Sequence, residues 1–219
     1  MNALVKLQKG DDFVEFKDID RPVPGEDEVL IQVKAVSICG SDLHIYHDEH
    51  PYWPPIVMEH EFSGEIVEVG SKATKWKVGD RVVSETRTGN CEICRYCQAG
   101  FPQICPEKQP PGIGRDGAMA PYLVMPADLL HCLPDNVTFE EAALTEPTAI
   151  CVHSLLERTG VKPGEVVVVN GAGSIGLICL QLARIAGASK IIVSGISRSA
   201  ALKLEKAKKL GADRIVDIS

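Results

Sequence analysis

The stretch that begins at Cys39 and runs to Glu61 carries a thiol, an imidazole and a carboxylate that could bind one metal ion. These groups belong to Cys39, His60 and Glu61. A catalytic zinc site needs three protein ligands and one open position, because the open position must hold water or a substrate oxygen. We therefore interpret this stretch as a candidate active site. The alternative is a buried Cys39 and a surface His60 that never meet.

Three polar residues follow Cys39 closely and could assist such a site. Ser41 and His44 are short-range neighbours that could pass a proton outward. Asp42 could accept a hydrogen bond from a metal-bound imidazole, which would fix the tautomer of the ring and raise its basicity. The sequence therefore predicts a metal centre with a route for protons beside it.

A second cluster consists of four cysteines at short spacing in a segment rich in glycine and proline. Its members are Cys91, Cys94, Cys97 and Cys105. Four thiolates predict a closed tetrahedral zinc site with no position for a substrate. Such a site contributes roughly 10–16 kcal/mol to local folding. Disulfides are one alternative. A nucleic-acid zinc ribbon is another, although its cysteine pairs normally flank a longer finger with basic residues.

The composition is typical of an ordinary globular protein. The 219 residues include 23 Lys and Arg against 30 Asp and Glu, which gives a formal net charge of -7, and 45% are hydrophobic. Without a basic cluster, nucleic acid is not expected as a partner. No apolar run is long enough to span a bilayer, and residues 1–10 lack a signal-peptide core, so we expect a cytoplasmic protein without a membrane partner. Zinc and buried thiols then account for the eight cysteines.

The first part of the chain must place the candidate metal ligands on a β scaffold. Residues 29–36 alternate partly between apolar and polar types, and residues 64–70 alternate cleanly. This period of two predicts an antiparallel barrel or sandwich. The segment 52–55 contains two consecutive prolines, which exclude a helix there. We therefore expect a loop to carry His60.

The pattern of apolar residues changes from a strand-like to a helix-like period near Thr138. Thr138 is a predicted helix N-cap, with Glu141 three residues later. Pro147 opens a second helical stretch that extends to about Arg158. Glu146 lies at the bend between the two. A carboxylate at such a junction is usually a solvated residue or a cap, but here Glu146 is also a candidate fourth ligand or near-ligand of the metal.

The turn at residues 162–165 predicts a domain boundary, with one domain at 1–160 and a second at 161–219. Beyond it, the apolar run 166–170 is typical of a parallel strand buried on both faces. Further predicted elements are a helix that ends near 187, a strand at 190–194, a helix at 199–210 and a strand at 214–218. Strands that alternate with helices predict a parallel, doubly wound sheet.

A glycine-rich turn between the first strand and the first helix of this domain predicts a dinucleotide site. It comprises Gly171, Gly173, Ser174, Ile175 and Gly176. The glycines allow a tight turn, close approach of a pyrophosphate and close helix packing. The phosphates would bind at the helix N-terminus.

The second strand should end beside the adenosine ribose, at Gly195, Ser197 and Arg198. A cofactor without a 2′-phosphate usually meets an acidic residue there. Because these positions carry no carboxylate, and Arg198 could pair with a phosphate, NADP is favoured over NAD. Arg198 could also be a solvated loop charge.

With both cysteine-containing sites and the glycine motif placed, the sequence resembles the zinc-containing medium-chain dehydrogenases, especially the polyol (sorbitol-type) and threonine dehydrogenase branch. The resemblance implies an N-terminal GroES-like β-barrel catalytic domain with a structural zinc lobe, followed by a partial Rossmann domain. It implies two zinc ions per subunit. Cys39, His60 and Glu61 match the catalytic-zinc residues, and Glu146 with Pro147 matches the acidic residue that completes the site in the polyol branch. Ser41 and His44 match the proton-relay positions, and the four clustered cysteines match the structural-zinc ligands.

The activity implied is hydride transfer between a secondary alcohol, such as a polyol, and NAD(P), which gives the ketone. A homo-oligomer is implied for a full-length chain. The segment Cys39–Tyr46 also resembles the threonine branch, so threonine or another amino alcohol is an alternative substrate, although Glu146 and Pro147 favour polyols.

Two departures from the family pattern stand out. Glu59 precedes the His-Glu pair where the family usually has glycine. The chain also contains only about half of the doubly wound sheet. An alternative of another class is therefore a truncated, inactive, zinc-stabilised binding or structural protein.

Overall fold

The computed structural model describes the main chain throughout and the side chains of residues 1–196 and 202–219. The chain divides into two compact units, Met1–Glu146 and Pro147–Ser219. This division lies earlier in the chain than the boundary expected after residue 160, which stays a prediction.

The first unit is built from antiparallel strands, as the period-two patterns predict. Its strands are β1 (Asn2–Lys6), β2 (Val14–Asp18), β3 (Glu28–Val36), β4 (Ile56–Val57), β5 (Phe62–Val69), β6 (Arg81–Ser84), β7 (Tyr122–Pro126) and β8 (Leu130–Cys132). They form a three-stranded sheet of order β2-β1-β4 and a five-stranded sheet of order β7-β3-β5-β6-β8. Alternate apolar residues of the larger sheet, such as Val29, Ile31 and Ile66, are buried in one core cluster. The prediction of an antiparallel β unit is confirmed.

Short helices connect these strands. They are α1 (Gly40–Tyr46), α2 (Arg95–Gln98) and α3 (Phe139–Ala142), with 3₁₀ turns at Pro102–Ile104 and Ala127–Leu129. The predicted capping pair is confirmed, since the Glu141 amide donates to Thr138 Oγ1 at 3.2 Å and the Thr138 amide donates to Glu141 Oε2 at 2.9 Å. The second predicted helical stretch is α4 (Thr145–Val152), which continues as a π-helix at His153–Thr159. In the described part of the chain, no helix combines the length and apolar character that a membrane span requires.

The second unit alternates strands with helices. Its elements are β9 (Val166–Asn170), α5 (Ser174–Ile185), β10 (Lys190–Gly195), α6 (Ser197–Lys209) and β11 (Arg214–Asp217). The three strands are parallel and lie in the order β11-β10-β9. The predicted βαβ arrangement is confirmed.

Among the described side chains of this unit, those of α5 and α6 that join the core cover one face of the parallel sheet. Leu180 of α5 and Leu204 of α6 join Val169, Ile191 and Val193 in a single buried cluster. On the other face of β9, the side chains of Val166 and Val168 are 60% and 58% exposed. The expectation that β9 is buried on both faces is therefore wrong for this chain, because both helices pack on the same side of the sheet.

Candidate metal centre and dinucleotide site

Strand pairing explains why Cys39 meets the His60–Glu61 pair. In the antiparallel pair of β3 and β5, Val36 lies opposite Phe62. Cys39 follows β3 as the N-cap of α1, and the loop between β4 and β5 carries His60 and Glu61, as expected. The ligand atoms of Cys39, His60 and Glu61 consequently lie within 4.8 Å of one another. The register of this one strand pair thus brings together residues that lie some twenty positions apart in the sequence.

The chemistry of these three side chains fits a divalent metal ion such as zinc. His60 and Glu61 are 8% and 5% exposed, and Cys39 is half-buried. Burial raises the pKa of the Cys39 thiol. A thiolate is the metal-binding form of cysteine, so a bound cation would have to displace the thiol proton. A sulfur, a nitrogen and an oxygen are all ligands that zinc accepts.

Glu146 lies near this group without belonging to it. It stands in the first turn of α4 and is half-buried. Burial raises the pKa of the Glu146 carboxyl, while His60 lowers it and Glu61 raises it further. The structure therefore places Glu146 within electrostatic reach of both residues, although it is outside the 4.8 Å group.

Two buried carboxyl groups bind the main chain of the three candidate ligands. Asp42 Oδ2 accepts a hydrogen bond from the Cys39 amide at 3.0 Å. Glu59 Oε1 accepts hydrogen bonds from the amides of His60 and Glu61 at 2.8 and 2.7 Å. Burial raises the pKa of Glu59, and the neighbouring Asp42 carboxyl raises it further.

The predicted hydrogen bond between the His60 ring and Asp42 is not formed. Within the described residues, His60 Nδ1 and Asp42 Oδ1 are buried without a hydrogen-bond partner. The two residues nevertheless share a 4.8 Å group with Glu59. Asp42 instead uses its other oxygen to bind the amide at the start of its own helix.

Ser37 is a contact of Glu61 that the sequence reasoning missed. Its hydroxyl donates to Glu61 Oε2, and its amide donates to the Glu61 carbonyl oxygen at 3.0 Å. Ser37 follows β3 directly, where the same strand register places it beside Glu61. The sequence alone does not predict this contact, because the contact depends on the register between β3 and β5.

The two predicted proton-relay residues both lie on α1 but in different surroundings. The Ser41 hydroxyl is buried and, in the described part of the chain, has no hydrogen-bond partner. The His44 ring is exposed, and its Nδ1 lies 2.9 Å from Glu49 Oε2. One group is thus buried near the candidate ligand Cys39, and the other is open to solvent.

The four clustered cysteines converge around α2. Their sulfur atoms lie within 4.8 Å of one another, with Cys94 at 3.6 Å from Cys97 and 3.9 Å from Cys105. A tetrahedral site with 2.3 Å zinc–sulfur bonds requires sulfur separations of about 3.8 Å. The Cys91 amide donates to Cys105 Sγ at 3.4 Å, which lowers the pKa of that thiol. The cluster therefore fits a closed zinc site.

The glycine motif forms the turn from β9 into α5. Gly171 has a φ of +102°, and Gly173 is the N-cap of α5, which begins with Ser174 and Ile175. A Cβ on Gly176 would lie 1.9 Å from the Gly171 carbonyl oxygen, so only glycine permits this packing.

The predicted ribose-binding residues follow the second strand. Gly195 ends β10 and is buried. The side chains of Ser197 and Arg198 lie outside the described residues.

Comparisons with known proteins agree with this arrangement. The family model of the alcohol dehydrogenase GroES-like domain matches residues 25–135. The chain belongs to the zinc-containing medium-chain dehydrogenase family. It is 41% identical over 217 residues to a sorbitol dehydrogenase of Halalkalibacterium halodurans, a match that covers 99% of this chain and 62% of the relative. It is also 41% identical over 218 residues to a D-arabitol-phosphate dehydrogenase of Enterococcus avium, with coverage of 99% and 61%.

A solved structure extends the comparison to the fold. A zinc-binding dehydrogenase of Sinorhizobium meliloti 1021, crystallised with NADP, superposes with a TM-score of 0.92 at 35% identity. The match covers 99% of this chain and 61% of that one. The chain therefore spans about three fifths of the length of the relatives it matches.

Proposed function

We propose that the protein to which this chain belongs is a zinc-dependent, NAD(P)-dependent oxidoreductase that interconverts a secondary alcohol, most simply a polyol, and the corresponding ketone. The observation that carries the proposal is the convergence of Cys39, His60 and Glu61 within 4.8 Å. A sorbitol dehydrogenase among its relatives supports the polyol. The reaction rests on the complete protein, because the chain spans only part of those relatives.

Cys39, His60 and Glu61 would hold the catalytic zinc, and Glu146 is the candidate for a further ligand or near-ligand. Zinc in such a site acts as a Lewis acid that polarises the substrate oxygen. Around it, Asp42 and Glu59 hold the ligand backbone, and Ser37 holds the Glu61 carboxylate. The four cysteines at 91, 94, 97 and 105 would hold a second, structural zinc, which supports two zinc ions per subunit.

Ser41 and His44 would carry the alcohol proton away from the centre. The Ser41 hydroxyl lies buried on α1 and can both accept and donate a proton. The exposed His44 ring can release the proton to solvent, and its contact with Glu49 orients it. This step requires correct placement of the two groups more than an unusual acidity of either.

The turn from Gly171 to Gly176 would bind the pyrophosphate of a nicotinamide cofactor against the N-terminus of α5. The nicotinamide supplies the hydride chemistry, and the protein supplies orientation. We favour NADP over NAD, because the sequence at and just after the end of β10 has no carboxylate at Gly195, Ser197 or Arg198. Structural neighbours were crystallised with either cofactor, one with NADP and another with NADH.

Two other functions have specific support. An amino alcohol such as threonine is favoured by the segment Cys39–Tyr46, and an inactive zinc-stabilised binding protein would need only the four-cysteine cluster. We further propose, from the family resemblance, that the complete enzyme works in the cytoplasm as a homo-oligomer on small-molecule substrates, without nucleic acid or membrane partners.

The first test uses the zinc-loaded 219-residue chain for cofactor binding and the complete zinc-loaded protein for turnover. NADPH and NADH are titrated separately and followed by the fluorescence of Trp53 and Trp76, and then sorbitol, other polyols and L-threonine are offered with each oxidised cofactor. Saturable binding that favours NADPH, and cofactor reduction with polyols, would support the proposal. Preferential turnover of threonine would support the amino-alcohol reading. Zinc binding without cofactor binding or turnover would support the binding protein.

Arg198→Ala separates the two cofactors. Loss of a charge-assisted contact to a 2′-phosphate should weaken NADPH binding by about tenfold or more. NADH binding should change little and serves as the internal control. An equal loss for both cofactors would contradict the proposed choice of NADP.

A further inference from the structure

Glu59 stands in an unusual conformation directly before the His60–Glu61 pair. Its φ is +82°, and its side chain is fully buried. A residue with a Cβ seldom adopts a positive φ, and glycine is usual at this position in the family. Such conformations persist where the surroundings impose them, often at functional sites. A buried carboxyl group in this place therefore requires a reason.

The contacts of the Glu59 side chain supply that reason. Oε1 accepts hydrogen bonds from the amides of His60 and Glu61, at 2.8 and 2.7 Å. In the part of the chain that the structure describes, neither amide has another acceptor. Oε1 also lies 4.0 Å from His60 Nδ1. The carboxyl group thus bends back over the two residues that follow it in sequence and fixes both of their peptide groups.

Asp42 performs the same task for the third candidate ligand. Its Oδ2 accepts the Cys39 amide at 3.0 Å. Asp42 and Glu59 both belong to the buried 4.8 Å group that includes His60. Two adjacent carboxyl groups therefore hold the amides of Cys39, His60 and Glu61, which come from two separate segments of the chain. A loop held in this way loses less conformational freedom when it binds a ligand.

The main chain of Glu59 is fixed from the opposite side as well. Its carbonyl oxygen accepts the Ala118 amide at 2.9 Å. A Cβ on Gly117 would lie 2.0 Å from the same oxygen, so glycine is required for this approach. The backbone at residue 59 thus has little room to move, and the orientation of the next two residues depends on the side-chain contacts.

We propose that Glu59 is a positioning residue of the metal centre: with Asp42 it holds the backbone of Cys39, His60 and Glu61 in place and thereby raises the affinity of these residues for metal. The inference rests on the proposed function only in assuming that these three residues bind a metal ion. It assigns to Glu59 a role that the glycine usual in the family cannot perform.

The test measures metal affinity of the full 219-residue chain with Co²⁺ as the probe, by competition against a chelator of known affinity. Visible absorption distinguishes Co²⁺ bound by four thiolates from Co²⁺ bound by one, so the four-cysteine cluster serves as an internal control. Three variants are compared with the wild-type chain. Glu59→Gln keeps an oxygen acceptor, Glu59→Met keeps the volume without a strong acceptor, and Glu59→Gly removes both while relieving the positive φ.

We expect Glu59→Gln to bind Co²⁺ at the one-thiolate site within about threefold of wild type. Glu59→Met and Glu59→Gly should lower the Co²⁺ affinity of this site by about tenfold or more, as is usual when a residue that orients metal ligands is removed. Wild-type affinity in Glu59→Met or Glu59→Gly, or a tenfold loss in Glu59→Gln, would overturn the inference. Circular dichroism checks folding; if Glu59→Gly does not fold, the Gln and Met variants decide.

The same titration separates this inference from the proposed function. A wild-type chain that binds Co²⁺ only at the four-cysteine cluster would overturn both. A wild-type chain that fills both sites, with affinity unchanged in the Met variant, would overturn the role of Glu59 alone.

Discussion

The Nζ atom of Lys6 lies 2.8 Å from the carbonyl oxygen of Tyr46, which joins the first strand to the end of α1. The Lys6 side chain is fully buried, and Nζ also donates to the carbonyl oxygens of Gly10 and Asp12 at 2.6 and 3.0 Å. One ammonium group therefore satisfies three main-chain acceptors. It fixes the helix that carries Ser41, Asp42 and His44.

Lys6→Met should destabilise the protein, because it leaves three carbonyl groups without their donor. We expect the free energy of unfolding to fall by about 3 kcal/mol. Urea denaturation of the zinc-loaded chain, followed by circular dichroism, measures the change. Lys17→Met on the exposed face of β2 is the matched control and should stay within about 0.5 kcal/mol of wild type. Equal effects of the two substitutions would contradict this account.

Cys39→Ser should abolish zinc binding at one of the two proposed zinc sites and leave the other site filled. Serine lacks the soft sulfur that zinc binds, and the four-cysteine cluster is a separate group. Metal analysis after dialysis gives the stoichiometry. In the complete protein, the proposed turnover should be abolished and NADPH binding should be retained, since the glycine motif lies in the other unit. Full activity of the metal-depleted variant would refute the proposed role of Cys39.

Cys94→Ser should unfold the lobe around α2. Its sulfur lies 3.6 Å from that of Cys97 and 3.9 Å from that of Cys105, so its loss opens the tetrahedral site. Since a structural zinc contributes roughly 10–16 kcal/mol to local folding, residues 91–105 should become sensitive to protease. Limited proteolysis with mass spectrometry locates the cuts. Cys132→Ser, at an exposed cysteine outside the cluster, should show the wild-type pattern.

Asp213 should make the stability of the second unit depend on acid pH. Its Oδ2 accepts the Ile191 amide at 2.7 Å and Arg184 Nη2 at 2.6 Å, and these contacts lower the pKa of Asp213. A carboxyl group with a pKa below its unfolded value of about 3.9 stabilises the fold above that pH. The stabilisation is lost as the pH falls through the lower, folded pKa.

Asp213→Asn should therefore lower the melting temperature at pH 7, and its difference from wild type should shrink as the pH falls below about 4. Thermal melts at pH 7, 5 and 3 follow the difference. Glu205→Gln, at an exposed carboxyl on α6, should show no such trend. A decrease in melting temperature that is equally large at pH 3 and pH 7 would show that the ionisation of Asp213 is not linked to stability.

The sequence predicts the parts of this structure whose signals are local. The βαβ arrangement follows from one apolar strand and a glycine turn, and the helix cap at Thr138 follows from two residues three apart. The residues of both candidate metal sites could also be named in advance, because few alternatives explain a thiol, imidazole and carboxylate set or four close cysteines.

Other features depend on strand register and remain hidden in the sequence. Lysine is a residue type that is almost never fully buried, yet the Lys6 side chain is buried with its ammonium group bound to three carbonyl oxygens. Ser37 reaches Glu61 only through the pairing of β3 with β5. Asp42 was expected to bind an imidazole and binds an amide instead, since helix capping within four residues is geometrically easier than a contact across the site.

The open face of β9 has a practical consequence for work with this chain. Val166 and Val168 expose apolar side chains on β9. In the described part of the chain, β9 pairs only with β10, so its other edge is free. A free strand edge next to apolar side chains is a template for sheet-to-sheet association. The isolated chain should therefore aggregate as its concentration rises. Light scattering across a dilution series will show whether low concentration, or the substitution Val168→Lys, keeps the chain monomeric.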